Sequence, residues 1–398
     1  MADTCDILIS GGGIAGLTAA AAFASSGFSV ICADPAPPVT DRDAEGSDLR
    51  TTAFLQPAQA LLDRCGIWTR LEEHAAPLQI MRIVDAGGAR PEPRVVKDFN
   101  AADISDQPFG WNLPNWLLRR EMIARLAELP NVDLRFGTGT TGLFTRTGEA
   151  RVSLSDGSQV TAKLVVACDG RNSPMRAAAG IPVKTTRYGQ KALAFAVTHP
   201  VPHENVSTEI HRSGGPFTLV PLPDYQGQPS SAIVWMERGP RAQELLNLDP
   251  AAFEAAMTER SCGLFGDLKL ASRRTIWPII SQSAERLNGE RLALMAEAAH
   301  VVPPIGAQGL NMSLGDLRSL LELAEARPEG LGDAQMLAAY HKARHNEILL
   351  RVKGIDLLNR TSMLAPRPLR DLRAFGLNAL YSLAPVRKTL MQMGLGVK

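Results

Sequence analysis

The sequence predicts an α/β protein, α+β overall, with a Rossmann-like dinucleotide-binding domain, a second domain on a mostly antiparallel sheet, and a C-terminal helical tail. Three observations support this prediction. An apolar run at 5–10 enters the glycine-rich turn 11–16 and a helix of small residues, as in a dinucleotide fold. Apolar residues alternate with polar ones over 132–166, and several strand patterns follow over 185–235. The last stretch, 366–398, is basic and amphipathic.

The turn 11–16 has the spacing of a phosphate-binding loop. Gly11 permits the tight turn, Gly13 lets backbone N–H groups reach a pyrophosphate, and Gly16 lets the helix lie close to the strand. Asp34 closes the next strand 18 residues after Gly16, where a carboxylate can bind a ribose hydroxyl. The alternative is a glycine-rich turn without a ligand. The strand before it, the helix after it and the acid at this distance favour a dinucleotide site.

Composition narrows the class of protein. The 398 residues suffice for two domains, and their net charge of +1 gives no general attraction to nucleic acid. No finger, basic stripe or aromatic platform of a nucleic-acid binder is found. The five cysteines are scattered and lack the spacing of a zinc site, as expected for reduced thiols. The chain opens on acidic residues, which argues against a secretory signal. We therefore predict a cytoplasmic protein without a metal site, and only peripheral contact with a membrane.

Periodicity and chain breakers place the elements of the first half. A helix is predicted at 56–65, ended by Gly66, and another at 115–126, stopped before Pro130. Ser-Asp-Gly-Ser at 155–158 lies between alternating apolar residues and predicts a hairpin. The strand that follows ends just before Asp169, at the edge where α/β sheets bind ligands.

The second half completes two interleaved domains. We predict a polar helix near 250–260, a strand near 274–280, and a buried strand at 291–295 that returns the chain to the first domain. Helices at 312–326 and 333–359 follow. The predicted division is 1–79, 110–184 and 284–365 for the dinucleotide domain, 80–109 and 185–283 for the second domain, and 366–398 for the tail.

Three spaced motifs resemble the FAD-dependent aromatic hydroxylases of the para-hydroxybenzoate hydroxylase type. The resemblance covers essentially the whole chain. More closely it is similar to the branch that hydroxylates the ring of ubiquinone precursors, through 49–53, 219–224, 306–311 and the tail. The three motifs are the turn 11–16 with Asp34, Cys168-Asp169-Gly170-Arg171-Asn172-Ser173, and Ala296-Glu297-Ala298-Ala299-His300 through Gly309-Leu310-Asn311.

The resemblance assigns roles to the matching positions. A helix N-terminus at the third motif would stabilise negative charge on reduced flavin. The implied contacts are Gly11, Gly13 and Gly16 with the FAD pyrophosphate, Asp34 with the adenosine ribose, Arg50 and Arg119 with the phosphates, Asp169 with FAD and NAD(P)H, Glu297 with the ribityl chain, and Gly309, Leu310 and Asn311 with the pyrimidine edge of the flavin.

The function that this resemblance implies is hydroxylation of the aromatic ring of a polyprenylated phenol in ubiquinone biosynthesis, through a flavin C4a-hydroperoxide. FAD is the implied cofactor, O2 the co-substrate, and NAD(P)H or a redox partner the electron donor. Since the cofactor carries the chemistry, no catalytic side chain is singled out. The alternatives are a flavin dehydrogenase, a hydroxylase of soluble phenols, and a flavin-poor scaffold subunit that works with other ubiquinone-biosynthesis proteins at a membrane.

Two positions depart from the family pattern. Ala296-Glu297 stands where Gly-Asp is usual, and Ser313 stands where glycine is common. We interpret Glu297 as a variant that still accepts the ribityl hydrogen bond; weaker flavin binding is the alternative. His300, beside this motif, is expected to pack or to orient a neighbour rather than to act as a base.

The tail carries six cations against one acid, with apolar residues interleaved. A basic amphipathic segment of this kind suits an anionic membrane surface. The alternative is that it packs on the body of the protein or forms a subunit contact. We favour the membrane because the implied substrate is a prenylated lipid.

Overall fold

The computed structural model describes residues 3–363, 370, 371, 375, 381 and 384–395. The helices are α1 (Ile14–Ser25), α2 (Gln56–Arg64), α3 (Asn115–Ala127), α4 (Pro174–Ala178), α5 (Gly239–Asn247), α6 (Pro250–Arg260), α7 (Gln308–Ala326), α8 (Ala334–Ser362) and the C-terminal helix (Ala384–Leu395). The strands are β1 (Asp3–Ser10), β2 (Val30–Asp34), β3 (Thr51–Leu55), β4 (Ala76–Leu78), β5 (Ile80–Asp85), β6 (Val95–Asn100), β7 (Gly110–Pro114), β8 (Val132–Phe136), β9 (Thr140–Thr145), β10 (Ala150–Leu154), β11 (Gln159–Ala167), β12 (Val183–Thr198), β13 (Val206–His211), β14 (Pro216–Tyr225), β15 (Gln228–Arg238), β16 (Lys269–Leu270), β17 (Thr275–Ala284), β18 (Asn288–Gly289), β19 (Leu292–Leu294) and β20 (His300–Val301).

The first sheet has the order β18-β19-β11-β1-β2-β8, with the β9–β10 hairpin paired to β11. Its central strands are parallel and consist of continuous apolar runs, as expected for strands covered on both faces. The alanines of α1 are buried and keep this helix close to the sheet. This sheet is the core of the dinucleotide domain.

The second sheet has the order β20-β17-β12-β15-β14-β13-β5-β6, with β16 paired to β12. Neighbouring residues along its strands point to opposite faces of the sheet and pack into two different cores. Leu193, Phe195 and Trp235 form a core with residues of α5 and α6, whereas the intervening Ala192 and Met236 belong to the core of the dinucleotide domain. One face of the sheet is therefore covered by helices, and the other faces the first domain.

The predicted fold class is confirmed, and two details differ from the sequence prediction. Helix α7 begins at Gln308, four residues before the predicted start, so 309–311 form its first turn. Strand β20 lies within 284–365 but pairs with β17 of the second sheet. The glycines at 306 and 309 obscure the start of α7, because glycine is a weak helix former, and β20 is too short to show a period, since it has only two residues.

The described part of the tail packs on the body of the protein. Met391 and Leu395 join a small core with Leu55, Ala101 and Phe109. Other tail contacts are the Tyr381 hydroxyl donating to the Asp98 carbonyl at 2.9 Å and the Arg387–Asp103 ion pair at 3.4 Å. Met393 and Phe375 are exposed. The rest of the predicted tail helix lies outside the described residues. Within the described chain, no helix is both long enough and apolar enough to cross a bilayer.

Candidate active site

The three sequence motifs meet at the C-terminal edge of the first sheet. The strand register pairs Ser10 with Ala167, and Ala167 with Leu294. The Cys168 amide donates to the Ser10 carbonyl at 2.7 Å, and the Met295 amide donates to the Ala167 carbonyl at 3.1 Å. Segments far apart in the sequence are thereby joined where parallel sheets bind ligands.

The glycine turn leaves open space at its phosphate-binding position. Gly11 has a φ of +104°, which favours glycine. A Cβ on Gly16 would overlap the Gly11 carbonyl oxygen, so the helix can cross this closely only with glycine there. A Cβ on Gly13 would meet no atom within 4 Å. Gly13 is also the N-cap of α1, whose first N–H groups have no intrahelical partner and favour an anion.

Asp34 is oriented by backbone groups on both sides. Its Oδ2 accepts from the Gly12 amide at 2.6 Å, and its Oδ1 accepts from the Ala36 amide at 2.9 Å. Each carboxylate oxygen keeps a lone pair that could accept a ribose hydroxyl. Contact with the adenosine ribose stays a prediction.

Asp169 has one oxygen that lacks a partner. Its Oδ2 accepts from the Ser10 hydroxyl at 3.0 Å and from the Met175 amide at 3.2 Å. Its Oδ1 is buried without a hydrogen bond in the described part of the chain, although the Ser173 hydroxyl lies close to the carboxylate. Burial raises the pKa of Asp169 above its ordinary value despite these donors. A ligand hydroxyl would satisfy the remaining oxygen.

Arg176 connects the second motif to the third. Its Nη1 donates to the Ala298 carbonyl and its Nη2 donates to the Arg171 carbonyl, both at 2.8 Å. The guanidinium is buried, which lowers its pKa, while the charge of Asp169 opposes that shift. Arg176 therefore fixes the turn that carries Glu297 against the second motif.

Ala296 has a backbone conformation that glycine adopts more readily than other residues do. Its φ is +55°, in the left-handed region, which costs a residue with a Cβ about 1 kcal/mol. The turn formed by Ala296–Ala298 nevertheless keeps its 3-10 hydrogen bond, in which the Ala299 amide donates to the Ala296 carbonyl at 2.9 Å. Glu297 is exposed. The pKa of Arg50 is raised chiefly by its hydrogen bond to Asp48, and the negative charge of Glu297 raises it further.

Replacing Glu297 with alanine should weaken FAD retention about tenfold, because one hydrogen bond to a charged group is lost. Dialysis followed by flavin absorbance measures the retained fraction. Glu297→Asp, which restores the usual family residue, is the matched control and should retain FAD as the parent protein does. Unchanged retention in the alanine variant would rule out the ribityl contact.

Two arginines converge on Asp48, a residue that the sequence did not single out as part of the site. Arg50 donates to Asp48 from Nε and from Nη2, both at 2.8 Å, and Arg119 Nη2 lies 3.4 Å from Oδ2. Asn115 Nδ2 donates to the same oxygen at 2.9 Å. Burial by itself raises the pKa of Asp48, but these donors and the two positive charges hold it below its usual value. Trp277 lies next to Arg50, 5.6 Å from ring centre to guanidinium carbon.

Replacing Asp48 with asparagine should lower FAD affinity about tenfold, because the two arginines lose their common anchor.

The same variant should also change the acid limb of the stability curve, that is, how the free energy of unfolding falls at low pH. A lowered pKa means that ionised Asp48 stabilises the fold above its unfolded pKa of about 3.9, and that this stabilisation disappears as pH falls through the folded value. Urea titrations at several pH values check this. An unchanged acid limb in the variant would contradict it.

The N-terminus of α7 is fixed to strand β3 by Asn311. The Leu55 amide donates to Asn311 Oδ1 at 2.9 Å, and Asn311 Nδ2 donates to the Ala53 carbonyl at 2.7 Å. The side chain thus positions the helix, and the backbone N–H groups of 309–311 remain for a ligand. Ser313 is accommodated because its hydroxyl donates to the Gly309 carbonyl at 3.0 Å.

His300 is part of a buried polar cluster. Its Nε2 lies 2.6 Å from Asp316 Oδ2, and Arg344 Nε donates to Asp316 Oδ1 at 2.9 Å. Asp316 is fully buried, and His300 and Arg344 are nearly so. His300 therefore orients a neighbour, as the sequence suggested, and joins the third motif to α7 and α8. The sequence contained no signal for its pairing with Asp316.

The residues present fit a flavin dinucleotide. The open space at Gly13 and the N-terminus of α1 suit a diphosphate, Asp169 offers a buried acceptor, and Arg50 and Arg119 supply positive charge. Among the described side chains, no group of His, Cys, Asp and Glu could hold a metal ion. Fold and site together define a protein that binds FAD.

Comparison with known proteins identifies the family of this chain. Residues 4–350 match the model of the FAD binding domain family. The ubiquinone hydroxylase UbiL of Rhodospirillum rubrum is 33% identical over 394 residues, 98% of this chain and 89% of that one. The 3-demethoxyubiquinol 3-hydroxylase of Escherichia coli is 26% identical and covers 98% of both chains. The chain belongs to the FAD binding domain family and, within it, to the ubiquinone hydroxylase branch of FAD-dependent monooxygenases.

Solved structures support the same fold. The p-nitrophenol 4-monooxygenase PnpA of Pseudomonas putida superposes with a TM-score of 0.79 at 18% identity, over 100% of this chain and 99% of that one. The predicted FAD cofactor is confirmed by the family match. The roles of the individual site residues stay predictions.

Proposed function

We propose that this protein is an FAD-dependent monooxygenase that hydroxylates the aromatic ring of a polyprenylated phenol in ubiquinone biosynthesis. The observation that carries the proposal is the match of 33% identity, over nearly the whole of both chains, to a ubiquinone hydroxylase. The assembled site supports it, since all three motifs converge at one sheet edge.

The bound flavin, once reduced by NAD(P)H or a redox partner, supplies the activation of O2. The protein's own residues bind and orient the flavin and the substrate. The first turn of α7 brings a helix N-terminus to the site, which favours negative charge beside it. Pro303 and Ile305 are buried in the loop that precedes α7. In this proposal they exclude water from the part of the site next to the helix N-terminus.

Incorporation of labelled oxygen is the decisive experiment. The purified protein, loaded with FAD, is supplied with a short-chain prenylated phenol, NAD(P)H and labelled O2, and the product is examined by mass spectrometry. One labelled oxygen atom in the ring is the expected result. Oxidised product without label would indicate a dehydrogenase, and a colourless protein that takes up no FAD would indicate the scaffold function.

We also propose that the enzyme works peripherally at a membrane, together with other proteins of the pathway. The basic, apolar tail and the lipid nature of the proposed substrate support this. Packing of the C-terminal helix on Leu55 and Phe109 fits the alternative, that the tail is a structural element. If a chain ending at Ala365 sediments with anionic vesicles as well as the full chain does, the tail is not the membrane contact.

A further inference from the structure

The outward face of α8 exposes three large apolar side chains. Leu350 is 66% exposed, Leu357 is 65% exposed and Leu358 is 57% exposed. Leu350 and Leu357 are seven residues apart, so they project from nearly the same side of the helix, and Leu358 adjoins them. Lys353 and Gly354 lie between Leu350 and the Leu357–Leu358 pair on this face. We call the three leucines together the leucine stripe.

The opposite face of α8 fixes the orientation of this stripe. Ile355 and Asn359 are buried, and Asn359 Nδ2 donates to Gln190 of β12 at 2.9 Å. The Tyr188 hydroxyl donates to Asp356 Oδ1 at 2.6 Å. These contacts hold the helix against the second sheet, so the leucine stripe is a feature of the folded protein and not of a frayed helix end.

Positive charge follows one flank of the leucine stripe. Lys342, Lys353 and Arg360 are exposed, and separations of eleven and seven residues place them on the same side of α8. Two acids of α8 lie near these cations: Asp356 is paired with Arg360 at 2.8 Å and with Tyr188, and Glu347 is paired with Arg344 and Arg351. An apolar stripe with a basic flank is the pattern of a helix that lies on an anionic bilayer, with its apolar side chains among the headgroups.

From this geometry we infer that α8 is a docking surface for an anionic lipid bilayer, distinct from the tail. The inference rests on the proposed function, since a prenylated substrate is delivered from a membrane. A protein surface is the competing occupant. The basic flank favours the bilayer, because anionic headgroups present negative charge along the whole length of the helix.

Vesicle sedimentation of the FAD-loaded full chain tests the inference. Vesicles of phosphatidylglycerol and phosphatidylcholine are compared with vesicles of phosphatidylcholine alone. Changing the three leucines to serine together should lower the binding constant for the anionic vesicles about tenfold or more, with the tail intact. Changing Lys342 and Lys353 to glutamine should weaken binding to anionic vesicles only, and added salt should do the same to the parent protein.

The chain offers a matched control in two exposed apolar residues elsewhere. Phe144, which is 54% exposed, and Val201, which is 45% exposed, lie outside α8. Changing both to serine should leave vesicle binding unchanged. Full vesicle binding by the triple leucine variant, or an equal loss in the Phe144 and Val201 variant, would overturn the inference. In the first case the stripe would be a protein contact instead.

Failure of this inference can be told apart from failure of the proposed function. Ring hydroxylation of a water-soluble phenol needs no vesicle, so the triple leucine variant should keep the parent kcat/KM for it. Loss of activity on vesicle-borne substrate alone supports the bilayer site. If the parent protein binds vesicles through α8 but hydroxylates no phenol, the proposed function fails and the docking surface stands.

Discussion

Replacing Gly13 with alanine should lower FAD affinity at least about a hundredfold, close to 3 kcal/mol, and leave the apoprotein folded. The position is open in the structure, with no atom within 4 Å of the added Cβ, so the methyl group costs the empty site almost nothing. It does occupy the space through which the turn approaches a pyrophosphate. Fluorescence titration of the apoprotein with FAD measures the affinity, and urea unfolding measures stability, which should change by less than about 1 kcal/mol.

Gly16→Ala is the contrasting variant. Its Cβ would collide with the Gly11 carbonyl, so we expect the apoprotein itself to be destabilised or to fail to fold. The Gly13 variant tests whether that glycine is needed for ligand binding, and the Gly16 variant tests whether that glycine is needed for folding. Normal FAD affinity in the Gly13 variant would mean that the pyrophosphate does not approach this turn.

Asp316→Ala should destabilise the protein by about 3–5 kcal/mol, the cost of removing one partner from a buried ion pair. Among the described residues, Arg344 would keep the half-exposed Glu347 as its carboxylate partner, and His300 would lose its bond to α7. Because Asp316 lies two turns beyond the N-terminus of α7, FAD affinity should fall as well. Urea unfolding with and without FAD measures both effects.

Asp316→Asn is the control for this second variant. It keeps the shape of the side chain and one acceptor oxygen but removes the charge, so its loss of stability should be smaller than that of the alanine variant. Equal losses would show that packing around the side chain matters more than its charge. A loss below about 1 kcal/mol in the alanine variant would contradict the role given to the cluster.

Local sequence signals were sufficient for the fold class and for the glycine turn. The turn at 11–16 specifies its own conformation, since the φ of Gly11 and the crowding at Gly16 both demand glycine. The carboxylate network was not predictable in the same way. Asp48 is two residues from Arg50, but its contact with Arg119 depends on how α3 packs beside β3 and β7.

Long-range pairing is what the sequence could not supply. His300, Asp316 and Arg344 come together from a strand and two helices, and each residue alone is compatible with an exposed position. Arg176 likewise acts through two carbonyl oxygens of other segments, which carry no side-chain signal. Such residues are found only once the register of the sheets is known.

The interleaving of β1, β11 and β19 has a consequence for biosynthesis. These neighbouring strands of one sheet come from the beginning, the middle and the last third of the chain. A ribosome that has released only the first two hundred residues has produced the glycine turn but neither β19 nor α7. The cofactor pocket is therefore completed late in translation, and the newly made chain must keep its apolar sheet edge from aggregating until those last elements arrive.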